Sequence, residues 1–190
     1  MNFRERIVRK LAGILHIEEK FFDFTDFKEQ LVMKLKRGLK DHHSLRGNFH
    51  FKLTDGFGNI KQEFDVANTV TELGDAMVAD AMSDRGVTLP THIAVGTGVA
   101  GGAGATTLTT ESHRETLDST TQGAAGDDND VIWVGTFAAG HGTGALTEAG
   151  IFNAAPANTG VMPVISGFAV INKGAADSLE ITWTLTCGAS

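Results

Sequence analysis

The sequence predicts a mainly β protein: an antiparallel β-sandwich or small barrel with one inserted helix, preceded by an N-terminal α-helical arm. Three observations lead there. Short apolar segments recur along the chain from about residue 46 onward, several with inside–outside alternation. Turns rich in Gly, Asn and Asp punctuate them. Charge divides the chain at the same place. Residues 1–46 hold 11 Lys/Arg against 7 Asp/Glu, net +4, and the rest holds 5 against 16, net −11. Residues 1–45 therefore read as a basic arm and 46–190 as a β-rich body. A basic arm on an acidic body calls for an acidic partner, and the acidic body does not suit nucleic acid.

The arm reads as helical. Phe3, Ile7, Leu11 and Ile14 recur at helical spacing, with Arg4, Arg6, Arg9 and Lys10 between them. Asp26 and Glu29 have capping-box spacing. After them Phe27, Leu31, Leu35 and Leu39 form a stripe, with Lys28, Lys34, Lys36 and Arg37 on other faces. Such a helix can lie on a membrane or in a groove, and burial against protein is the commoner use. His16, Glu18 and Glu19 interrupt the apolar stretch near the N-terminus, which predicts no signal peptide and a product made in the cytoplasm. No apolar run reaches the length of a membrane span.

The body opens on a hairpin. Phe49, Phe51 and Leu53 alternate with polar residues, DGFGN supplies the turn, and Ile60, Gln62, Phe64 and Val66 alternate on the return. Asn68 or Thr69 caps a helix through about Ser83, with Val70, Leu73, Met77, Val78 and Ala81 on its apolar face. THIAVGTG is a short buried strand, and Val99 to Ala105 is a low-complexity loop. Leu108 to Leu117 is extended, Gly123 to Asp130 is an acidic loop tip, and Val131 to Phe137 is a strand. AGHGTG is a turn before a strand over Thr147 to Phe152. Pro163 marks the strand Val161 to Phe168 as an edge or a bulge. From Asp177 to Cys187, Leu179, Ile181, Trp183, Leu185 and Cys187 share one face.

The chemical motifs resolve to structural readings. Gly96-Thr97-Gly98 opens no helix, which a dinucleotide turn requires. Asp127 to Asp130 lacks the spacing and distal glutamate of an EF-hand. His42, His43, His50, His92, His113 and His141 show no HxH or HExxH spacing, so solvated or hydrogen-bonded histidines are favoured and no metal is expected. Ser112, His113, Arg114 and Glu115 are neighbours on a strand, whose side chains alternate and do not converge as a triad. Glu148, between apolar neighbours, needs backbone N–H groups or Arg114 as donors; an Arg114–Glu148 ion pair is the candidate. No catalytic residue, cofactor or metal is assigned.

KLTDGFGNIKQEFDVANTVTELG, LPTHIAVGTG, LTTESHRETLDS, VIWVGTF, LTEAGIFNAA and SLEITWTLT follow one another in an order that resembles tailed-bacteriophage virion structural proteins, described as head decoration, collar or tail-fibre proteins. The resemblance spans roughly Gly47 to Cys187, and THIAVGTG, LTTE and LTEAGIFNA are its most specific pieces. It implies a non-enzymatic virion component with a β-rich body. It also implies capsid, neck or tail proteins as partners and a homo-oligomer, with a trimer as the expected state. The arm would supply the anchor, and no nucleic acid or membrane is expected as a partner. The rival reading is a tail or collar fibre module that binds host glycans. It needs exposed aromatic platforms, and Trp133 and Trp183 sit in apolar strands.

Overall fold

The structure is a computed structural model that describes residues 43–189. The arm residues Arg4, Arg6, Arg9, Lys10, Phe27, Leu31, Lys34, Leu35, Lys36 and Arg37 lie outside the described residues.

Among the described residues, ten strands and one helix follow in order. β1 (His43–Thr54), β2 (Ile60–Ala67) and β3 (Thr69–Val70) precede α1 (Glu72–Met82). β4 (His92–Gly96), β5 (Glu111–Thr116), β6 (Ser119–Gln122) and β7 (Asp130–Phe137) come next. β8 (Gly144–Phe152), β9 (Val164–Lys173) and β10 (Ser178–Ala189) complete the body. They form two five-stranded antiparallel sheets, β2-β1-β10-β7-β6 and β3-β9-β8-β4-β5. The expected sandwich is therefore the observed architecture, and the barrel alternative is not.

Alternation places the core. Phe49, Phe51 and Leu53 of β1 face Trp183, Ile181 and Leu179 of β10 in direct register, and all six are buried. Trp133 and Phe137 of β7 extend this surface. The second sheet meets it with Ile93 and Val95 of β4, Leu146, Ala149 and Ile151 of β8, and Val164 and Ile171 of β9. Burial of each Val, Leu, Ile or Phe side chain among these stabilises the fold by roughly 1.5–3 kcal/mol.

The second sheet is covered on its other face as well. Ala94, Phe152 and Ile165 pack there with Leu108 and Met162 from the long connections. This is why HIAVG and AGIF read as continuous apolar runs. Both sheets are bridged at their margins. β2 passes almost directly into β3 through Asn68, and β5 into β6 through Leu117 and Asp118, so each turn joins an edge of one sheet to an edge of the other.

α1 is shorter than its stripe suggested. Thr71 is its N-cap and accepts a hydrogen bond from the Gly74 amide; Ser83 ends it. Val70 belongs to β3, and Ala81 is exposed, so the buried face reduces to Gly74 and Met77 with Leu73 and Val78 half-buried. A side chain at Gly74 would run into the Pro163 carbonyl, so the helix sits directly on that segment. Pro163 precedes β9, which is an interior strand between β3 and β8. The expected edge or bulge is corrected: a proline without an N–H stands just outside the ladder. Cys187 is exposed, so the inward row of β10 ends at Leu185.

Candidate functional site

The three most specific sequence pieces meet at one carboxylate. Glu148 on β8 is fully buried. Its Oε1 accepts from the Gly98 amide at 3.0 Å and the Thr110 amide at 2.7 Å, and its Oε2 accepts from the Thr109 amide at 2.9 Å. VGTG, LTTE and LTEAG are thus held together by a single side chain. Charge-assisted bonds of this kind are about twice as strong as neutral ones.

Local irregularity aims that side chain. The β8–β9 register shifts between Leu146 and Glu148. Leu146 and Ala149 both enter the core, which three residues apart on a regular strand would not. Glu148 is thereby delivered to the outer face, against Gly96, its register partner on β4. A Cβ at Gly96 or Gly98 would lie 2.7 or 2.5 Å from Oε1, so the carboxylate occupies the space a side chain would need. Thr147 and Thr109 complete the clasp: their hydroxyls donate to the carbonyls of Gly98 and Val99 at 2.6 and 2.7 Å.

The expected Arg114–Glu148 ion pair is not formed. Arg114 pairs with Glu111 through two parallel bonds, Nε to Oε1 and Nη2 to Oε2, each 2.8 Å. The cause is a register irregularity between β4 and β5 that leaves Ser112 unmatched. Glu111 and Arg114, three apart, then share a face. The guanidinium lies 3.7 Å from the Phe152 ring centroid, and its Nη1 donates to the carbonyls of Ala154 and Thr159. Glu111 also accepts from the Asn158 amide. Both side chains are nearly fully buried, and together they fasten the loop between β8 and β9.

A second set of charges joins three turns. Lys173, buried at the end of β9, donates to the carbonyls of Ala138 and Asp177 at 2.9 and 2.7 Å. Burial pushes its pKa down, against the opposing pull of the Asp177 carboxylate. Asp177 accepts from Lys61 and from the Gly174 amide, and these bonds, Lys61 first, hold its carboxyl below the usual range.

The histidines divide. His50 of β1 lies between Asp65 and Glu63 across the strand pair, at 3.0 and 3.2 Å, and its pKa is raised chiefly by the Asp65 hydrogen bond. His92 contacts the Thr91 hydroxyl, and burial lowers its pKa, with Arg114 adding to the effect. His113 of β5 and His141 of the β7–β8 loop both meet Glu115. Their meeting was not read from the sequence, because it joins positions 28 apart through the fold.

Ser112 donates to the Val95 carbonyl and takes no part in that group. The acidic loop is anchored to the end of β10: Asn129 and Cys187 exchange an amide donor each for the other's carbonyl, both at 2.9 Å. Trp133 and Trp183 are buried in the core.

The loop Val99 to Ala105 is irregular, as expected, and borders a shallow hollow with Thr147, Gly167, Phe168 and Ala169. Val99 stands 84% exposed at its head. A separate apolar groove of about 210 Å³ is lined by α1 (Met77, Val78) and by Leu45, Trp133 and Leu185 of the first sheet. Compared with protein-family models, curated proteins and solved structures, the chain matches none.

Proposed function

We propose that this chain is a non-enzymatic accessory component of a tailed-bacteriophage particle, attached at the capsid or neck. The observation that carries this reading is the Glu148 clasp. The segments on which the resemblance to virion proteins rests are the ones a buried carboxylate ties into one outer surface. A carboxylate with no exposure and three backbone donors shapes loops; it meets no solute.

The other buried charges support the same reading. Arg114 and Glu111 fasten the β8–β9 loop, and Lys173 and Asp177 fasten three turns. The fold commits its buried charge to holding loops in shape. A surface of Gly, Ala and Thr, pinned at Gly98 and Val99 by hydrogen bonds and carrying a projecting Val99, suits close contact with a neighbouring subunit. In this reading the basic residues Arg4, Arg6, Arg9, Lys10, Lys34, Lys36 and Arg37 meet acidic surfaces on the particle, and the body assembles with its own copies as a trimer.

Immunogold labelling of purified particles tests the proposal. Label at a fixed place on the head or neck is expected, together with loss of that label when Arg4, Arg6, Arg9 and Lys10 are all changed to Glu. Protein found only free in the lysate refutes it. Label at fibre tips, with glycan binding by the purified protein, replaces it with the host-recognition reading. The burial of both tryptophans counts against that alternative.

A further inference from the structure

The group formed by His113, Glu115 and His141 stands apart from the clasp and from the fastened loops. We propose that it is a binding site for one divalent transition-metal ion of the zinc class, with His113 Nε2, His141 Nδ1 and a Glu115 carboxylate oxygen as ligands. The two histidines lack ligand spacing in the chain, so the sequence alone predicts no metal here.

Convergence is the first argument. His113 and Glu115 are two apart on β5, so strand alternation gives them the same face. His113 Nε2 lies 2.9 Å from Glu115 Oε1, and His141 Nδ1 contacts the same oxygen. One ligand atom from each residue lies within 4.8 Å of the other two. In a tetrahedral zinc site with bonds of about 2.0–2.2 Å, neighbouring ligand atoms stand about 3.4 Å apart. The present separations, all within 4.8 Å, bracket that value.

Two imidazoles and one carboxylate are a donor set that zinc accepts, with the fourth position open to water or to a group from another molecule. On metal binding each ring would present its ligating nitrogen without a proton and carry its single proton on the other nitrogen, and any proton beyond that would leave to solvent.

The support is packed and hydrogen-bonded, which favours a site over a chance encounter. The His113 ring meets Phe137 of the core edge-on, with centroids 6.2 Å apart. The His141 loop is held by its own amide, which donates to the Ala138 carbonyl, and by the Gly140 amide, which donates to Ala175. Gly142, at φ +57°, fits beneath, where a side chain would crowd Val95 and Phe137. Access is open: the side chains of His113, Glu115 and His141 are 35%, 26% and 54% exposed.

The test is zinc titration of the full chain, first stripped with a chelator, by isothermal calorimetry. Histidines elsewhere in the chain can also take up zinc, so variants carry the assignment. The expected result is one ion per chain whose affinity falls by more than about tenfold in both His141→Ala and Glu115→Gln, since three protein ligands become two. His50→Ala, at a separate histidine–carboxylate contact among the described residues, leaves it unchanged. Cobalt substitution gives a second readout on the unmutated protein. Strong visible absorption of four-coordinate cobalt is expected, with loss of its protein-derived bands in His141→Ala. His141 is half exposed, and its replacement leaves the core intact. Absence of zinc binding, or binding and cobalt spectra unaltered by both substitutions, overturns the proposal.

Discussion

At the scale of single residues, Glu148 is, among the described residues, a buried carboxylate held by backbone amides alone. Glutamine in its place keeps one oxygen for Gly98 and Thr110 but turns an NH₂ group toward the Thr109 amide, donor against donor. Glu148→Gln is expected to cost about 1–3 kcal/mol, the penalty for an unsatisfied buried donor, read as a lower midpoint in urea unfolding. His50 gives the opposite kind of dependence. Its folded pKa is raised, chiefly by Asp65, so its contribution is complete below the unfolded value of about 6.5 and is lost as pH rises through the folded value. The thermal midpoint at pH 5.5 minus that at pH 8.5 is expected to be less positive in His50→Gln than in the unmutated protein, since His92, with its lowered pKa, contributes equally to both. The difference is small and shrinks in salt, because the contact is exposed. Equal differences in the two proteins would remove His50 from the account.

At the scale of elements, Lys173 shows how turns are coupled. Its ammonium reaches the carbonyl of Ala138 after β7 and that of Asp177 before β10. Lys173→Met retains most of the apolar stem and leaves both carbonyls short of a donor. A loss of about 1–3 kcal/mol is expected in denaturant unfolding. Elements with a strict period were legible in the sequence: Phe49 to Leu53 and Leu179 to Leu185 alternate because each strand has one face in the core. β6 was not, because Ser119 to Gln122 are all exposed and carry no apolar signal; their pairing with β7 alone makes them a strand. The Arg114 partner is not legible for a related reason. One unmatched residue, Ser112, reverses the parity of β5, and nothing in the letters ESHRE announces it. Glu148 was legible as a buried carboxylate in need of donors. The identity of those donors depended on loops whose composition sets no conformation. His113 and His141 came together through tertiary structure alone.

At the scale of the whole body, stability is expected to grade from margin to centre. β10 lies between β1 and β7, and β8 between β4 and β9, so both are bonded on two sides over buried side chains. β3 and β6 are short and lie at sheet margins. Amide hydrogen exchange is expected to be slowest in β8 and β10 and fastest in β3 and β6. Uniform protection across the four strands would contradict this ordering. The corner passages through Asn68 and through Leu117–Asp118 tie the two sheets at opposite margins, so separating the layers requires disturbing a bridged edge.

The pairing of β1 with β10 has a mechanical consequence. The strands are antiparallel and in register from His43↔Ala189 to Thr54↔Ser178, so residues 43 and 189 leave the body side by side. A load applied between those two points peels the ladder open one rung at a time and meets low resistance. A load between residue 43 and the far hairpin tip at Phe57 strains the rungs of β1 together, in shear. In single-molecule pulling, the second geometry is expected to rupture at the higher force. A body tethered through residue 43 and tugged at its distal turn would hold where one pulled apart by its two ends would unzip.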